Sequence, residues 1–448
     1  MDRRKFLQSM GGIVAVAALP RCGGRYTADR APNILIIVAD DLGYADLSVT
    51  GRRDYQTPVV DQIAREGALL SQAYSSAPVC TPSRVAFMTG RYPARYPAGL
   101  YEPLTTQDVG LEPHPATLAR LLKNAGYATA LVGKWHLGLL PQCHPLRHGF
   151  DEFYGFLGPG ADYASHRDVQ TRTLSYFQDG ERPIHVNGYL TDLFTDRAIA
   201  FVSRPRPKPF FLSLQYNSPH WPWQAPGDPP YPDTLRVTAG GSPETYGRMV
   251  RSMDEGIGRV LDGLHRRGLE RDTLVVFTSD NGGERFSHMG PFSEGKMTLW
   301  EGGIRVAAVA RWPGVIPPGS HCAQVCATFD LAATAAALAN ARPDAAAPFD
   351  GIDLMPALRG GVPRARDLYW RLAQRRQQKA LRSGNWKYLA TAKDGEYLFD
   401  LQTDPGEKHD RKVERPEVLA ELRDKYSQWE RQMLTPIPLD TSGAQSRH

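Results

Sequence analysis

The sequence predicts an α/β fold, a large sheet flanked by helices, with a smaller antiparallel sheet towards the carboxyl end. Three observations predict it. Largely apolar runs recur at 33–39, 127–132, 209–214 and 273–278, which is how strands buried on both faces read. Segments with helical apolar spacing fall between them, at 117–125, 189–202 and 249–264, so strands and helices alternate. Beyond 353–356 the pattern changes, and 386–389 and 396–401 alternate as antiparallel strands do.

A chain of 448 residues can bury a large core, and one big domain with a smaller one is the natural division. The expected units are a leader over 1–28, a main domain over 29–345 and a carboxyl-terminal unit over 346–448. Apolar residues make up 42% and charged residues 23%, which excludes a disordered or fibrous class. The formal net charge of +5 is mild for this length and the arginines are scattered, so nothing points to nucleic acid.

Residues 2–7 open with Arg3-Arg4 and lead into an apolar stretch over 11–19 that is too short for a permanent membrane span. Cys22 follows Arg21, an unfavourable residue before a lipidated cysteine, so lipid anchoring is not expected. The other cysteines are Cys80, Cys143, Cys322 and Cys326. With Cys80 set aside for chemistry, an oxidising compartment would allow at most one disulfide among the last three.

Taken in order, the run 33–39 ends in Asp40-Asp41, at the carboxyl end of a buried strand, where open α/β sheets place their ligands. The pair reads either as a capped turn or as a cation site. Residues 57–67 read as a capped amphipathic helix and loop. Cys80-Thr81-Pro82-Ser83-Arg84 reads either as a buried cysteine before a helix or as a site. Pro82 suits the first helical position, which would set Cys80 just ahead of an N-terminus that favours anions, with Arg84 within one turn. The run 127–132 delivers Gly133-Lys134-Trp135-His136, and in an extended segment Lys134 and His136 share a side. Over 139–205 the histidines His144, His148 and His166, with Arg167 and Arg172, read either as the lining of a substrate pocket or, the better reading for each, as solvated loop residues. Prolines on both sides hold His220 in Pro219-His220-Trp221-Pro222. Asp280-Asn281-Gly282 closes the run 273–278 and alone would be an ordinary turn.

These blocks together resemble the type I sulfatases. Cys80-Thr81-Pro82-Ser83-Arg84 with Thr89-Gly90 resembles the family signature Cys-x-Pro-x-Arg with a downstream Thr-Gly. Pro32-Asn33 through Gly43, 133–138, 149–155, 217–222, 280–282 and 295–306 resemble further blocks, in the family's order. The chain departs from the pattern at Pro291-Phe292-Ser293-Glu294-Gly295, where Pro-Leu-Arg-Gly is usual, and at Ala307, where proline is.

The resemblance implies an alkaline-phosphatase-like fold with a large mixed, mostly parallel sheet, and hydrolysis of sulfate monoesters. It implies that Cys80 is oxidised to formylglycine, whose hydrate is the nucleophile, by a dedicated maturase. Asp40, Asp41, Asp280 and Asn281, together with the modified Cys80, would be the metal ligands, and carboxylate and amide oxygens suit Ca²⁺, or Mg²⁺, rather than zinc. Arg84, Lys134, His136, His220 and Lys296 would complete the catalytic set. Lys134 and Lys296 would bind sulfuryl oxygens, His220 would protonate the leaving group and His136 would take a proton from position 80. Arg3-Arg4-x-Phe6-Leu7 resembles a twin-arginine export signal, implying the Tat machinery as a partner and a periplasmic or secreted enzyme. The expected substrate is a sulfated glycan or small molecule, cleaved exo. A phosphate or phosphonate monoester hydrolase of the same superfamily is the alternative, and a non-catalytic sulfated-glycan binder a more distant one.

Overall fold

The run Asn33–Ala39 forms β1, buried along its whole length at the middle of a ten-stranded sheet. The structure, a computed structural model, describes residues 31–104, 109–114, 117–168, 171, 177–374 and 376–437; the expected leader and Cys22 lie outside them. After β1 come α1 (Pro58–Arg65), β2 (Ala68–Leu70), β3 (Ala73–Tyr74), α2 (Cys80–Thr89), α3 (Leu118–Asn124), β4 (Ala128–Lys134), β5 (Glu152–Phe156), β6 (Phe177–Asp179) and β7 (Arg182–Pro183). Then follow α4 (Leu190–Ser203), β8 (Phe210–Gln215), α5 (Pro243–Arg266), β9 (Thr273–Ser279), α6 (Glu301–Ile304), β10 (Ala308–Arg311), β11 (Ser320–Cys322), β12 (Cys326–Ala327), α7 (Asp330–Leu338) and α8 (Met355–Leu358). The chain ends with β13 (Asp367–Leu372), β14 (Gln378–Ser383), β15 (Trp386–Thr391), β16 (Gly395–Asp400) and α9 (Pro416–Glu430).

The large sheet runs β11-β2-β10-β9-β1-β8-β4-β5-β6-β7. Its middle block, β9-β1-β8-β4-β5, is parallel, while β10 and β6 join it antiparallel. It is therefore mixed and mostly parallel, as expected. Side chains alternate along β1: Ile34, Ile36 and Val38 join one apolar cluster with residues of α2, α3 and α7, and Leu35, Ile37 and Ala39 join another with α1, α4 and α5. Both faces are covered, which is why these strands carry no polar alternation. Among the described residues no helix is long and apolar enough to cross a membrane.

Several boundaries differ from the sequence reading. α2 begins at Cys80 itself, with Val79 as its cap, so Pro82 lies third in the helix rather than first; proline is tolerated there because the first-turn amides need no intrahelical partner. α5 starts at Pro243, well before residue 249, with Ser242 accepting from the Thr245 amide. Thr57 does not cap α1. Instead Asp254 of α5 accepts from the amides of Val59 and Val60, at 3.0 and 2.9 Å. Two further antiparallel strands, β13 and β14, join β15 and β16 in the small sheet.

The small sheet is tied to the main body by apolar packing of Leu368, Trp370 and Leu398 with Leu299, Ile304 and Tyr74. It is also tied by a buried charge network. Lys387 of β15 is fully buried and lies 3.0 Å from Glu301 and 2.7 Å from Glu407. Glu301 also accepts from the Tyr74 hydroxyl at 2.8 Å and faces Arg305 at 3.3 Å. Burial alone would raise the Glu301 acid, yet Lys387, Arg305 and Arg382 hold it below its usual range. Burial and the neighbouring Glu301 push Glu407 up to about 7, against Lys387.

Lys387→Met should therefore destabilise the protein by about 3–5 kcal/mol in denaturant unfolding, because two carboxylates lose their buried cation; a loss under about 1 kcal/mol would contradict this account. Burial also pushes Asp254 up to about 6. The folded state then holds this proton more tightly than the unfolded chain, so Asp254 should remove stability as pH rises from about 4 to about 6. The stability difference between the ends of that window should shrink in Asp254→Asn.

Candidate active site

The parallel strands all end on one edge of the sheet, and that edge carries the site. Ala39 of β1 is in register with Ser279 of β9, so Asp40 and Asp280 leave the sheet side by side. Gln215 ends β8 and Lys134 ends β4. Gly133 is required just before Lys134: its φ is +114°, and a Cβ there would lie 1.9 Å from the Gln215 carbonyl oxygen. Gly282 has the same role after Asn281, since a Cβ would lie 2.0 Å from the Gly302 carbonyl oxygen.

α2 brings Cys80 to this edge. Its Sγ lies 3.6 Å from Asp40 Oδ1 and 4.0 Å from Asp41 Oδ1. Arg84, one turn on, is buried; its guanidinium reaches Asp280 Oδ2 at 2.9 Å and Asp40 Oδ1 at 3.5 Å, and donates to Gln215 Oε1 at 3.0 Å. Lys134 Nζ lies 2.5 Å from Asp40 Oδ2 and Lys296 Nζ 2.6 Å from Asp41 Oδ2. Asp41 takes a left-handed backbone, φ +64°, and its amide donates to Asp280 Oδ1 at 3.2 Å. Asn281 Nδ2 donates to Asp41 Oδ1 at 2.8 Å.

The two histidines are held differently. His220 Nδ1 donates to the Trp221 carbonyl at 2.6 Å, which leaves Nε2 towards the site, 3.6 Å from Asp41 Oδ2. His136 has φ +57°, so it is not a continuation of the strand and the shared-side argument stops at Lys134. The turn swings the imidazole to Leu104 O at 3.2 Å and Thr81 Oγ1 at 3.4 Å. With Nε2 donating to the carbonyl, the buried Nδ1 is left without a hydrogen-bond partner and is a free acceptor.

Burial sets the protonation of these groups. It pushes the Cys80 thiol well above its ordinary value, against the opposing pull of Lys134 and Lys296. It lowers His136 strongly, with help from Lys134 and Arg84, and lowers His220, with help from Lys134 and against Asp41. Burial would also raise Asp41, yet Lys296, His220 and Lys134 hold it at about 2. Asp280 is pushed up to about 7 by burial and by the carboxylates of Asp40 and Asp41.

This crowding fits a hard cation. Ligand atoms of Asp40, Asp41, Cys80 and His220 lie within 4.8 Å of one another, all buried. Asp280 and Asn281 touch the same group through Asp41. Asn281 Oδ1 is buried without a hydrogen-bond partner, an oxygen available to a cation. Carboxylates that weaken one another as acids lose that repulsion when a divalent charge is added.

The family model for sulfatases matches residues 32–341. The chain belongs to the sulfatase family. This sulfatase is 35% identical to mouse steryl-sulfatase over 88% of its own length and 80% of that protein, and 37% identical to pig N-acetylgalactosamine-6-sulfatase over 77% and 69%. The solved structure of Ps i-CgsB with k-i-k-neocarrahexaose superposes with a TM-score of 0.83, at 32% identity over 92% of this chain and 96% of that one. A phosphonate monoester hydrolase of Agrobacterium radiobacter shares the fold, with a TM-score of 0.65 at 20% identity over 90% of this sulfatase and 96% of that chain. The protein is accordingly a sulfuric ester hydrolase.

Other residues behaved differently from the sequence reading. His144, His148 and His166 are buried rather than solvated: His144 pairs with Gln178 at 3.1 Å and packs on Phe153, and His148 packs on Trp135. Arg172 lies outside the described residues. Cys143, Cys322 and Cys326 are buried free thiols. Gln215, Thr81 and Glu284, which lies 3.4 Å from Lys296, went unnoticed. For Gln215 a signal existed, since it is a polar residue ending a buried run, as Asp40 is.

Added Ca²⁺ should raise the unfolding temperature of this sulfatase in a thermal shift measurement, by about 2.7 kcal/mol of stabilisation at a hundred times the dissociation constant. Asp40→Asn and Asp41→Asn should abolish the shift. An unchanged shift in both would place the cation elsewhere.

Proposed function

We propose that this sulfatase cleaves the sulfate monoester of a sulfated glycan, exo, using one Ca²⁺ held by Asp40, Asp41, Asp280 and Asn281 beside a formylglycine made from Cys80. The observation that carries the reading is the enclosure of Cys80 Sγ by two carboxylates, 3.6 and 4.0 Å away, within reach of Arg84, Lys134 and Lys296. A thiol so deeply buried among carboxylates ionises reluctantly, so an unmodified Cys80 would be a poor nucleophile. A buried set of protein oxygens suits Ca²⁺, which accepts irregular coordination, better than Mg²⁺, which keeps its waters.

When present, the cation withdraws charge from the sulfuryl oxygens and the aldehyde hydrate supplies the attacking hydroxyl. The chain's own side chains do the rest. Lys134 and Lys296 bring two buried positive charges to oxygens that gain negative charge as the ester bond breaks. Arg84, braced by Gln215 and Asp280, neutralises the carboxylate side of the centre. His220, anchored through Nδ1, turns Nε2 towards the leaving oxygen and would donate there once protonated; Asp41 and the Trp221 carbonyl favour that form, while burial and Lys134 oppose it more strongly. His136, oriented by Leu104 and Thr81, keeps Nδ1 free to take a proton from position 80.

The relatives and neighbours named for N-acetylgalactosamine-6-sulfate and for a neocarrahexaose complex support a carbohydrate ester. The Arg3-Arg4 leader supports export by the Tat route to the periplasm, with a formylglycine-generating maturase as a second partner.

Protein co-produced with a maturase should carry an aldehyde at position 80 by mass spectrometry and should turn over aryl sulfates faster than aryl phosphates. A preference for aryl phosphate would favour the phosphomonoester reading instead. Cys80→Ala should be inactive, and His220→Ala should lower kcat by about 10²–10⁴. The loss should be smallest for aryl esters, whose leaving groups least need a proton.

A further inference from the structure

A buried carboxylate close behind the centre takes no part in the mechanism above. Asp46 has no exposed surface. Its Oδ2 accepts from the Gly43 amide at 2.7 Å, the Ser287 hydroxyl at 2.8 Å and the Tyr246 hydroxyl at 2.6 Å. Its Oδ1 accepts from the Arg52 guanidinium at 2.7 Å and the His288 amide at 2.8 Å. A carboxylate so fully supplied with donors has no lone pair left for a cation or a substrate. Asp46 also lies outside the group of ligand atoms that surrounds Cys80.

The origin of the donors shows what the carboxylate holds. Gly43 belongs to the loop after β1, which opens with Asp40 and Asp41. Ser287 and His288 belong to the loop after β9, which opens with Asp280 and Asn281. Further bonds join the same two loops. The Ala45 amide donates to the His288 carbonyl at 2.8 Å, and the Ser287 hydroxyl reaches the Asp41 carbonyl at 3.4 Å. Arg52, itself paired with Asp54, donates to the Phe286 carbonyl at 3.2 Å. The second loop in turn steadies Lys296, whose amide donates to the Gly283 carbonyl at 3.0 Å. Tyr246 comes from α5, which bears none of the proposed ligands.

A Ca²⁺ ion draws its oxygens to about 2.3–2.6 Å, so the spacing of Asp41 and Asn281 has to match it. Loops already held at that spacing bind the ion without first being ordered, and ordering them would subtract from affinity. Building on the cation reading above, we infer that Asp46 is a positioning residue for the Ca²⁺ site. It joins the loops after β1 and β9 from behind, so that the oxygens of Asp41 and Asn281 are aligned before the ion arrives. It touches neither the ion nor the ester.

Asp46→Asn tests this because it keeps the shape and replaces one oxygen by NH₂. An NH₂ facing Arg52 and the His288 amide would meet two groups that cannot accept. Facing the other way it meets two hydroxyls that can turn round to accept, and only the Gly43 amide is left unpaired. The variant thus releases the loop that carries Asp41.

The measurement is calorimetric titration of Ca²⁺ into the metal-stripped, aldehyde-bearing full chain, with thermal unfolding in the absence of Ca²⁺ alongside. Asp46→Asn should weaken Ca²⁺ binding by about 10–100-fold. Ser287→Ala, a milder cut in the same link, should weaken it by about threefold or more. Tyr246→Phe removes a donor to the same carboxylate from an element without ligands, so it should lower the unfolding temperature and leave the Ca²⁺ affinity at the wild-type value. The dissociation constant is read only from protein that binds, so loss of folded material does not imitate the effect. If Asp46→Asn does not fold, Ser287→Ala decides. Wild-type affinity in Ser287→Ala and in any folded Asp46→Asn overturns the assignment and leaves the cation reading standing. So does an equal loss in Tyr246→Phe, which would make Asp46 a purely structural anchor. A wild-type chain that takes up no Ca²⁺ overturns both.

Discussion

The structure depends on pairing charge where it cannot be solvated. Three carboxylates, Asp40, Asp41 and Asp280, converge at the carboxyl ends of β1 and β9, with almost no exposure. Unpaired, they would cost several kcal/mol each. Lys134 answers Asp40, Lys296 answers Asp41 and Arg84 answers Asp280. Each cation comes from a different part of the chain, so the centre exists only when β4, α2 and the loop before α6 are docked against β1 and β9.

The parallel sheet makes that docking possible. Parallel strands end on one edge, so residues far apart in sequence are delivered to one line. Helices on both faces leave this edge as the place where loops can meet. The small sheet adds a second constraint. Its Lys387 meets Glu301, which opens α6 a few residues after Lys296, and Glu407, which rides on the turn following β16. The loop that carries Lys296 is thus clamped between the main sheet and the small one, and Met297 in that loop takes a left-handed backbone, φ +67°. Backbone of that kind persists where the surroundings over-determine it.

Much of this was readable in one dimension. The buried strands announce themselves as apolar runs, and Asp40-Asp41, Lys134, His220 and Asp280-Asn281 each stand at or just after the end of one. Other features were hidden for physical reasons. β14 alternates polar and apolar residues weakly, and its place in the sheet is decided by β13 and β15 on either side of it. Glu407 sits in what reads as an ordinary Asp-Pro-Gly turn, and nothing local says that Lys387 will come to bury it. The histidines at 144 and 148 read as solvated because the rings that cover them, Phe153 and Trp135, belong to other segments.

By itself the sequence determined which residue types would be present and what chemistry they permit: a cysteine near a helix start, oxygen donors for a hard cation, two lysines and two histidines. Periodicity and turn chemistry are local, so they survive in the linear chain. Only the tertiary structure decided which cation answers which carboxylate and which nitrogen of each histidine stays free. Those outcomes depend on distances between segments that no local pattern encodes, because they are set by strand register, the packing of helices on both faces and the clamp of the small sheet.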